Sequence, residues 1–379
     1  MKKILFIIDS LTCGGAEKSL ISLLPLLDYN KMEVDLMLGA RGGIFEQYIP
    51  QNINICTIPK KHSLLRQYYY SFLLRLYKFF KIAKHPAEIH WAAWKESYLP
   101  LDKEYDMAIA YQQGLPTYYV ASKVKAKKKC AWINADIHKA GYDEKFNEGY
   151  YKKMDYVVPV SEVLSNMLQK MNYFDNKKIY PVYDILNVNL IQEMSKEAGF
   201  TNSLPQGTWR ILTVGRLAKP KNYPLAVETA KILKEKGISF KWYFVGEGSE
   251  RQNIEALISK NQLQDHVILF GMKANPYPYM AGCDIYVQTS SFEGFGLTLC
   301  EARLLHKPEV STNFPVVYNQ IQDGVNGLIA EMNAESVAEK ITVLITDHAL
   351  RESIIQETKK EINNTSITES KKVNALLLS

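Results

Sequence analysis

Apolar residues along the chain gather in short runs, each closed by small or polar residues and most followed by a stretch of helical period. Lys3 to Asp9 is the first run, and an amphipathic stretch from Leu20 to Leu27 follows it. Val34 to Leu38, Ile53 to Ile58, Met107 to Tyr111, Lys129 to Ile133 and Tyr156 to Val160 repeat the pattern. Ser161 then stands where it can cap a helix over Val163 to Met171. A second series opens at Arg210 to Val214 and continues through Trp242 to Val245, Val267 to Phe270 and Ile285 to Val287. The last of these leads to a helix over Leu297 to Leu305. Strands this short and apolar, alternating with helices, predict parallel sheets with crossover helices on both faces.

Between the two series, Lys196 to Gly207 collects Gly, Pro and polar residues without period and reads as a linker. The pattern therefore predicts an α/β chain with an N-terminal doubly wound domain over 1–195, a linker over 196–207 and a C-terminal domain over 208–362. The tail over 363–379 has two readings, a return to the first domain or disorder. Glu309 breaks the pattern, because an apolar strand residue is expected at its place.

A length of 379 residues suits two domains of ordinary size, and 47% hydrophobic with 23% charged residues is the composition of a folded globular chain. The five cysteines are scattered with no C-x-x-C pair, which argues against a zinc site or disulfide framework and for a reducing, cytoplasmic setting. The apolar core of Met1 to Asp9 is too short for a signal peptide and reads as a buried strand. No uncharged apolar run reaches the roughly 18 residues a spanning helix needs. A net charge of +6 says only that acidic partners are not repelled.

Candidate chemistry gathers where the apolar runs end. After Ile285-Tyr286-Val287 comes Thr289-Ser290-Ser291-Phe292-Glu293-Gly294-Phe295-Gly296-Leu297, a strand end, a Gly-containing turn and a helix start. Free N–H groups and the helix dipole make such a turn an anion cradle, and Glu293 and Glu301 bracket it in an E-x7-E spacing. Gly14-Gly15 after the first strand forms a second phosphate-sized nest, without the G-x-G-x-x-G of a dinucleotide site. Arg216 and Lys221 follow Arg210 to Val214, and a fixed guanidinium fork beside a mobile ammonium suits a diphosphate. No Asp-x-Asp in strand context asks for a metal ion.

These stretches resemble the retaining family-four (group 1) glycosyltransferases, through E-x7-E, Gly-Arg-Leu…Lys, and Gly-Gly-Ala-Glu after the first strand. The resemblance implies the GT-B fold, two Rossmann-like domains facing an interdomain cleft. It also implies a metal-independent transferase that moves a sugar from a UDP- or GDP-sugar to a hydroxyl of a glycan or lipid-linked acceptor, without a cofactor. It places Arg216 and Lys221 on the diphosphate, Glu293 by the donor sugar, Glu301 on the ribose and the backbone near Met272 against the base. Phe295, Gly296 and Leu297 would form the cradle, with Gly14 and Gly15 in the cleft. The family's strand over Ala131 to Asp136 normally ends in a histidine; here Asn134 stands there, leaving Asp136 or His138 as the nearest titratable group. Asp136 is thus the candidate at the reacting or acceptor hydroxyl, with an N-cap as its other reading. That departure keeps a non-catalytic partner subunit or glycan-binding protein open as an alternative, beside a GT-B epimerase or phosphorylase.

Lys60 to Lys84 interleaves Arg75, Lys78, Lys81 and Lys84 with Tyr68, Tyr69, Tyr70, Phe72, Phe79 and Phe80. This texture suits a helix lying on an anionic membrane surface, and equally a domain helix with solvated lysines. No nucleic-acid module surrounds it. The setting expected is cytoplasmic, with peripheral attachment to the inner face of the membrane under the first reading.

Overall fold

A computed structural model of the chain describes residues 1–12, 14–61, 64–79, 84–171, 174, 178–201, 204–360 and 364–379. The first sheet contains β1 (Lys2–Ile8), β2 (Met32–Leu38), β3 (Asn54–Thr57), β4 (Glu104–Ala110), β5 (Lys125–Ile133) and β6 (Tyr156–Pro159). All its pairings are parallel, in the order β3-β2-β1-β4-β5-β6. The second sheet contains β7 (Trp209–Val214), β8 (Phe240–Val245), β9 (Val267–Gly271), β10 (Ile285–Gln288), β11 (Glu309–Thr312) and β12 (Leu328–Ala330). Its order is β12-β11-β10-β7-β8-β9, again parallel throughout. Both sheets reverse direction of winding beside their first strand, between β1 and β4 and between β7 and β10. Ligands of open parallel sheets bind outside the strand C-termini at such switch points.

The apolar runs end up where their composition sends them. Ile4 to Ile8 of β1 and Ile285 to Val287 of β10 are fully buried, as two-faced strands under helices must be. The helix Tyr223–Glu235 turns Leu225, Ala226, Ala230 and Leu233 into the core of the second unit, against Phe240, Trp242 and Phe244.

The chain divides into two compact units, 1–186 with 364–379 and 187–363. The division lies ahead of the expected linker, and the physical reason is Phe200. Its ring packs on Tyr243 at 4.7 Å and on Tyr279 at 5.2 Å, with the Arg210 guanidinium 5.5 Å from its centre. The helix Val188–Met194 is fastened too, by Asn275 Nδ2 donating to the Met194 carbonyl at 2.7 Å. Asn202 and Ser203 of that stretch lie outside the described residues.

The tail is a helix, Asn364–Leu378, and it belongs to the first unit. Val373, Leu376 and Leu377 are buried there, and Asn374 Oδ1 accepts from the Asp28 N–H at 2.9 Å. Glu369 and Ser366 accept the N–H groups of Tyr183 and Leu186, at 2.9 and 3.1 Å.

Glu309 is also explained. It is fully buried on β11 and pairs with Arg303 Nη1 at 2.6 Å, an ion pair joining the end of the helix Leu297–Leu304 to the next strand. Gly327 is required opposite it, since a Cβ there would come within 2.9 Å of Glu309 Cγ.

Candidate active site

The second unit brings its sequence candidates together at the switch point. β7 ends in Val214, Gly215 follows it, and Lys221 comes on a short 3-10 turn, Lys219–Lys221. β10 ends in Gln288 and releases the turn that carries Glu293. Because β7 and β10 are neighbours, these two loops meet. Ser291 N donates to the Pro220 carbonyl at 2.8 Å, and Thr289 Oγ1 donates to the carbonyls of Lys221 and Asn222, both at 3.2 Å. Gly215 leaves room for the lysine stem: a Cβ there would stand 3.2 Å from Lys221 Cε.

Glu293 and Lys221 form the charged centre of the site. Lys221 Nζ donates to Glu293 Oε1 at 2.6 Å, with the side chains 21% and 13% exposed, so the pair is largely desolvated yet reachable. The same oxygen accepts from Ser290 Oγ at 2.5 Å and from Gln288 Nε2 at 2.9 Å. Neither Ser290 nor Gln288 was singled out from the sequence. The signal available for Gln288 was an amide at the end of an otherwise apolar strand; Ser290 gave none.

The turn closes on Gly296, which caps the helix Leu297–Leu304 at φ +93°, in the left-handed region that favours glycine. A Cβ there would also sit 3.3 Å from Gln320 Nε2, which donates to the Phe295 carbonyl and holds the turn from outside. Leu297 begins the helix and is buried. Glu301, one turn on, is fully buried, with Tyr277 donating to its Oε1 at 3.0 Å. Tyr277 is another partner the sequence did not reveal. Arg216 is exposed at the end of β7, and Met272 is 62% exposed just past β9.

The first unit has its own polar edge at the ends of β1, β4 and β5. Gly14 caps the helix Gly15–Leu23 without a side-chain hydrogen bond, and a Cβ on Gly14 would collide with the Glu17 carboxylate. Asp9, just past β1, has its carboxyl pushed up to about 6, chiefly by burial and secondarily by the charge of Glu17. Its N–H donates to Gln112 Oε1 at 3.4 Å. Asn134, at the end of β5, donates from Nδ2 to the Tyr111 carbonyl at 3.0 Å, and Gln113 Oε1 accepts from Ala135 N at 2.9 Å. Asp136 Oδ1 accepts the N–H groups of His138 and Lys139 at 2.9 and 3.0 Å, the turn-capping arrangement of an aspartate after a strand. His138 is exposed, 4.0 Å from Glu144. Among the described residues, no cluster of three or more His, Cys, Asp or Glu could hold a metal ion.

Two parallel six-stranded sheets, each with the same reversal, define a two-domain protein of the GT-B type. The fold agrees over the full length of both chains with Anabaena HepE, solved in complex with UDP and glucose, at a TM-score of 0.73 and 18% identity. Staphylococcus aureus TarM, solved with UDP and an alpha-GlcNAc-glycerol, likewise agrees over 100% of both chains, at a TM-score of 0.70 and 14% identity. Residues 195–361 match the family described as glycosyl transferases group 1. Across 378 residues, 95% of this chain and 94% of the relative, it is 27% identical to a Campylobacter jejuni enzyme. That enzyme is the N-acetylgalactosamine-N,N'-diacetylbacillosaminyl-diphospho-undecaprenol 4-alpha-N-acetylgalactosaminyltransferase. The chain is thus similar to the group 1 glycosyl transferases over 195–361, and over nearly its whole length to the Campylobacter enzyme.

Proposed function

We propose that this glycosyltransferase moves a sugar, with retention, from a UDP-sugar to a hydroxyl of a lipid-linked glycan in surface polysaccharide or glycolipid assembly. The observation that carries the donor half is the desolvated Lys221–Glu293 pair at the switch point of the second sheet, in the loops that also hold Arg216 and the helix start at Gly296. A cation, a guanidinium and helix N–H groups stabilise the diphosphate as negative charge builds on it. The carboxylate of Glu293 faces the sugar, on which positive charge builds. The bond from the anomeric carbon to the diphosphate oxygen breaks with its electron pair leaving on the diphosphate. The acceptor oxygen bonds the same carbon from the same face, and its proton passes to the departing phosphate.

The backbone past Met272 takes the base, Phe295 to Leu297 cradle the phosphates, and Gly14 and Gly15 line the first unit's share of the substrates. Asp136 contacts the acceptor through Oδ2, since its Oδ1 is occupied by the turn. Retention and the lipid-linked acceptor are supported by names: the Campylobacter relative makes a 4-alpha linkage on a diphospho-undecaprenol glycan. UDP is supported by the Anabaena and Staphylococcus structures that hold it.

Binding at a membrane surface is supported by that acceptor and by the helix Leu64–Phe79. Tyr68, Tyr69, Phe72 and Phe79 are 57–80% exposed on it, an unusual display of aromatic surface. His62, Ser63 and 80–83 lie outside the described residues. No described helix is long and apolar enough to cross a membrane.

Titration calorimetry with UDP tests the donor site. Arg216→Ala should weaken UDP binding by about 2 kcal/mol or more, the usual cost of truncating one partner of a desolvated charge pair. Unchanged affinity would remove Arg216 from the site.

A further inference from the structure

Gln288 is out of character for its strand. Ile285, Tyr286 and Val287 are apolar or aromatic and fully buried, and Gln288 beside them is 2% exposed. A buried amide is costly unless both of its ends find partners, and this one has them. Nε2 donates to Glu293 Oε1 at 2.9 Å, while Oε1 accepts from Thr298 Oγ1 at 2.7 Å and from Tyr286 Oη at 3.4 Å. Turning the amide over would set its oxygen against the carboxylate, so the contact with Glu293 fixes one orientation.

Three donors, Lys221, Ser290 and Gln288, therefore converge on the same oxygen of Glu293. No described residue donates to Oε2. Two of the three donors have other roles or freedom. Lys221 is a flexible ammonium that a diphosphate would draw toward itself, and the Ser290 hydroxyl rotates. Gln288 alone is locked from behind, by Thr298 in the first turn of the helix that forms the cradle.

We propose that Gln288 is a positioning residue: it holds Glu293 by Oε1 so that Oε2 is presented to the donor sugar, and it ties that presentation to the helix start that meets the diphosphate. The inference rests on the donor-site reading above, in which Glu293 faces the sugar. It adds a residue of strand β10 that acts on the reaction only through Glu293.

The test compares UDP with UDP-N-acetylgalactosamine and UDP-glucose on the full chain. Gln288→Met keeps the length and shape of the side chain and removes both hydrogen-bonding ends. The expected result has three parts. UDP binds Gln288→Met as it binds the unaltered protein, within about twofold. The extra affinity of the preferred UDP-sugar over UDP is lost, and turnover falls about 10- to 100-fold, as for loss of a hydrogen bond to a charged group. In a Glu293→Gln background, Gln288→Met causes no further loss of turnover, because the group it positions is gone.

Multiplicative losses in the double variant would overturn the proposal, as would turnover of Gln288→Met within about twofold of the unaltered protein. A loss matched by an equal fall in UDP affinity and melting temperature would also overturn it, leaving a packing role. If UDP fails to bind the unaltered protein, the donor-site reading itself falls and takes this inference with it. Normal UDP binding with a failed cycle removes Gln288 alone. Gln288→Glu, which keeps the acceptor end toward Thr298 but faces carboxylate with carboxylate, should be at least as impaired in turnover as Gln288→Met. Near-normal turnover of Gln288→Glu would count against the geometry.

Discussion

Glu293 and Glu301 share a motif but not an environment, and their substitutions should separate. Glu293 is on the turn, partly reachable, with one oxygen engaged by three donors; Glu301 is wholly buried against Tyr277. A fixed carboxylate beside developing positive charge acts more strongly in the transition state than in the ground state. Glu293→Gln should therefore lower kcat at saturating donor, by about 10-fold for each ~1.4 kcal/mol lost. Glu301→Gln should chiefly raise KM for donor if a ribose reaches it. A fall in melting temperature with KM unchanged would show a structural carboxylate instead. Steady-state kinetics and melting on both variants decide between these.

Asp184 offers a second test at the same scale. It is buried beside Ser19, and that burial pushes its carboxyl up from 3.8 to about 7. A carboxyl raised on folding takes up its proton more readily in the native state than in the unfolded one. Its contribution to stability is therefore full below about pH 4 and is lost as pH rises through the window up to about 7. Asp184→Asn keeps the shape and cannot ionise. The variant should gain on the parent as pH rises from 5 to 8, by about 2.5 kcal/mol over that range. Urea midpoints at both pH values check this, and a pH-independent difference would contradict it.

At the scale of elements, the helix Leu64–Phe79 is the one whose surface asks for a partner. Tyr70 is buried, its ring 5.2 Å from Trp94, so one side of the helix is accounted for by the helix Pro86–Trp94. Tyr68, Tyr69 and Phe72 are exposed on it, with Arg75. If the exposed aromatics enter a membrane interface, the triple change Tyr68→Ser, Tyr69→Ser, Phe72→Ser should lower flotation with anionic vesicles while leaving UDP affinity unchanged. Each basic residue adds about 1 kcal/mol near such a surface, so high salt should weaken the remaining attachment. Equal flotation of parent and variant, with or without anionic lipid, would leave a solvated domain helix.

For the whole molecule, the return of the chain to the first unit matters most. The helix Asn364–Leu378 buries three apolar side chains, Val373, Leu376 and Leu377, and accepts N–H groups of Tyr183 and Leu186 just before the chain enters the second unit. At about 1.5–3 kcal/mol for each buried side chain, removing 364–379 takes away a large part of a typical domain's margin. The truncated chain should melt in two transitions, with the first unit's displaced well below its place in the full chain. Calorimetry showing one unshifted transition would mean that the helix is dispensable.

The sequence by itself determined the alternation of buried strands and helices, and through it the two sheets and the places where strands end. Those features are local: a two-faced apolar run, a glycine at a turn and a capping serine act within a few residues. The resemblance carried by E-x7-E and Gly-Arg-Leu…Lys was legible for the same reason, because each motif is a strand end read along the chain. What faces what was decided only by the tertiary structure. Glu309 looked misplaced until Arg303 stood 2.6 Å away, and Phe200 looked like linker until Tyr243 and Tyr279 enclosed it. Asn374 and Asp28 are far apart in sequence yet hydrogen-bonded. Gln288 passed unnoticed because the worth of a buried amide depends on what stands at both its ends. Those partners, Glu293 and Thr298, come from a turn and a helix that the fold, and no local rule, brings back over the strand.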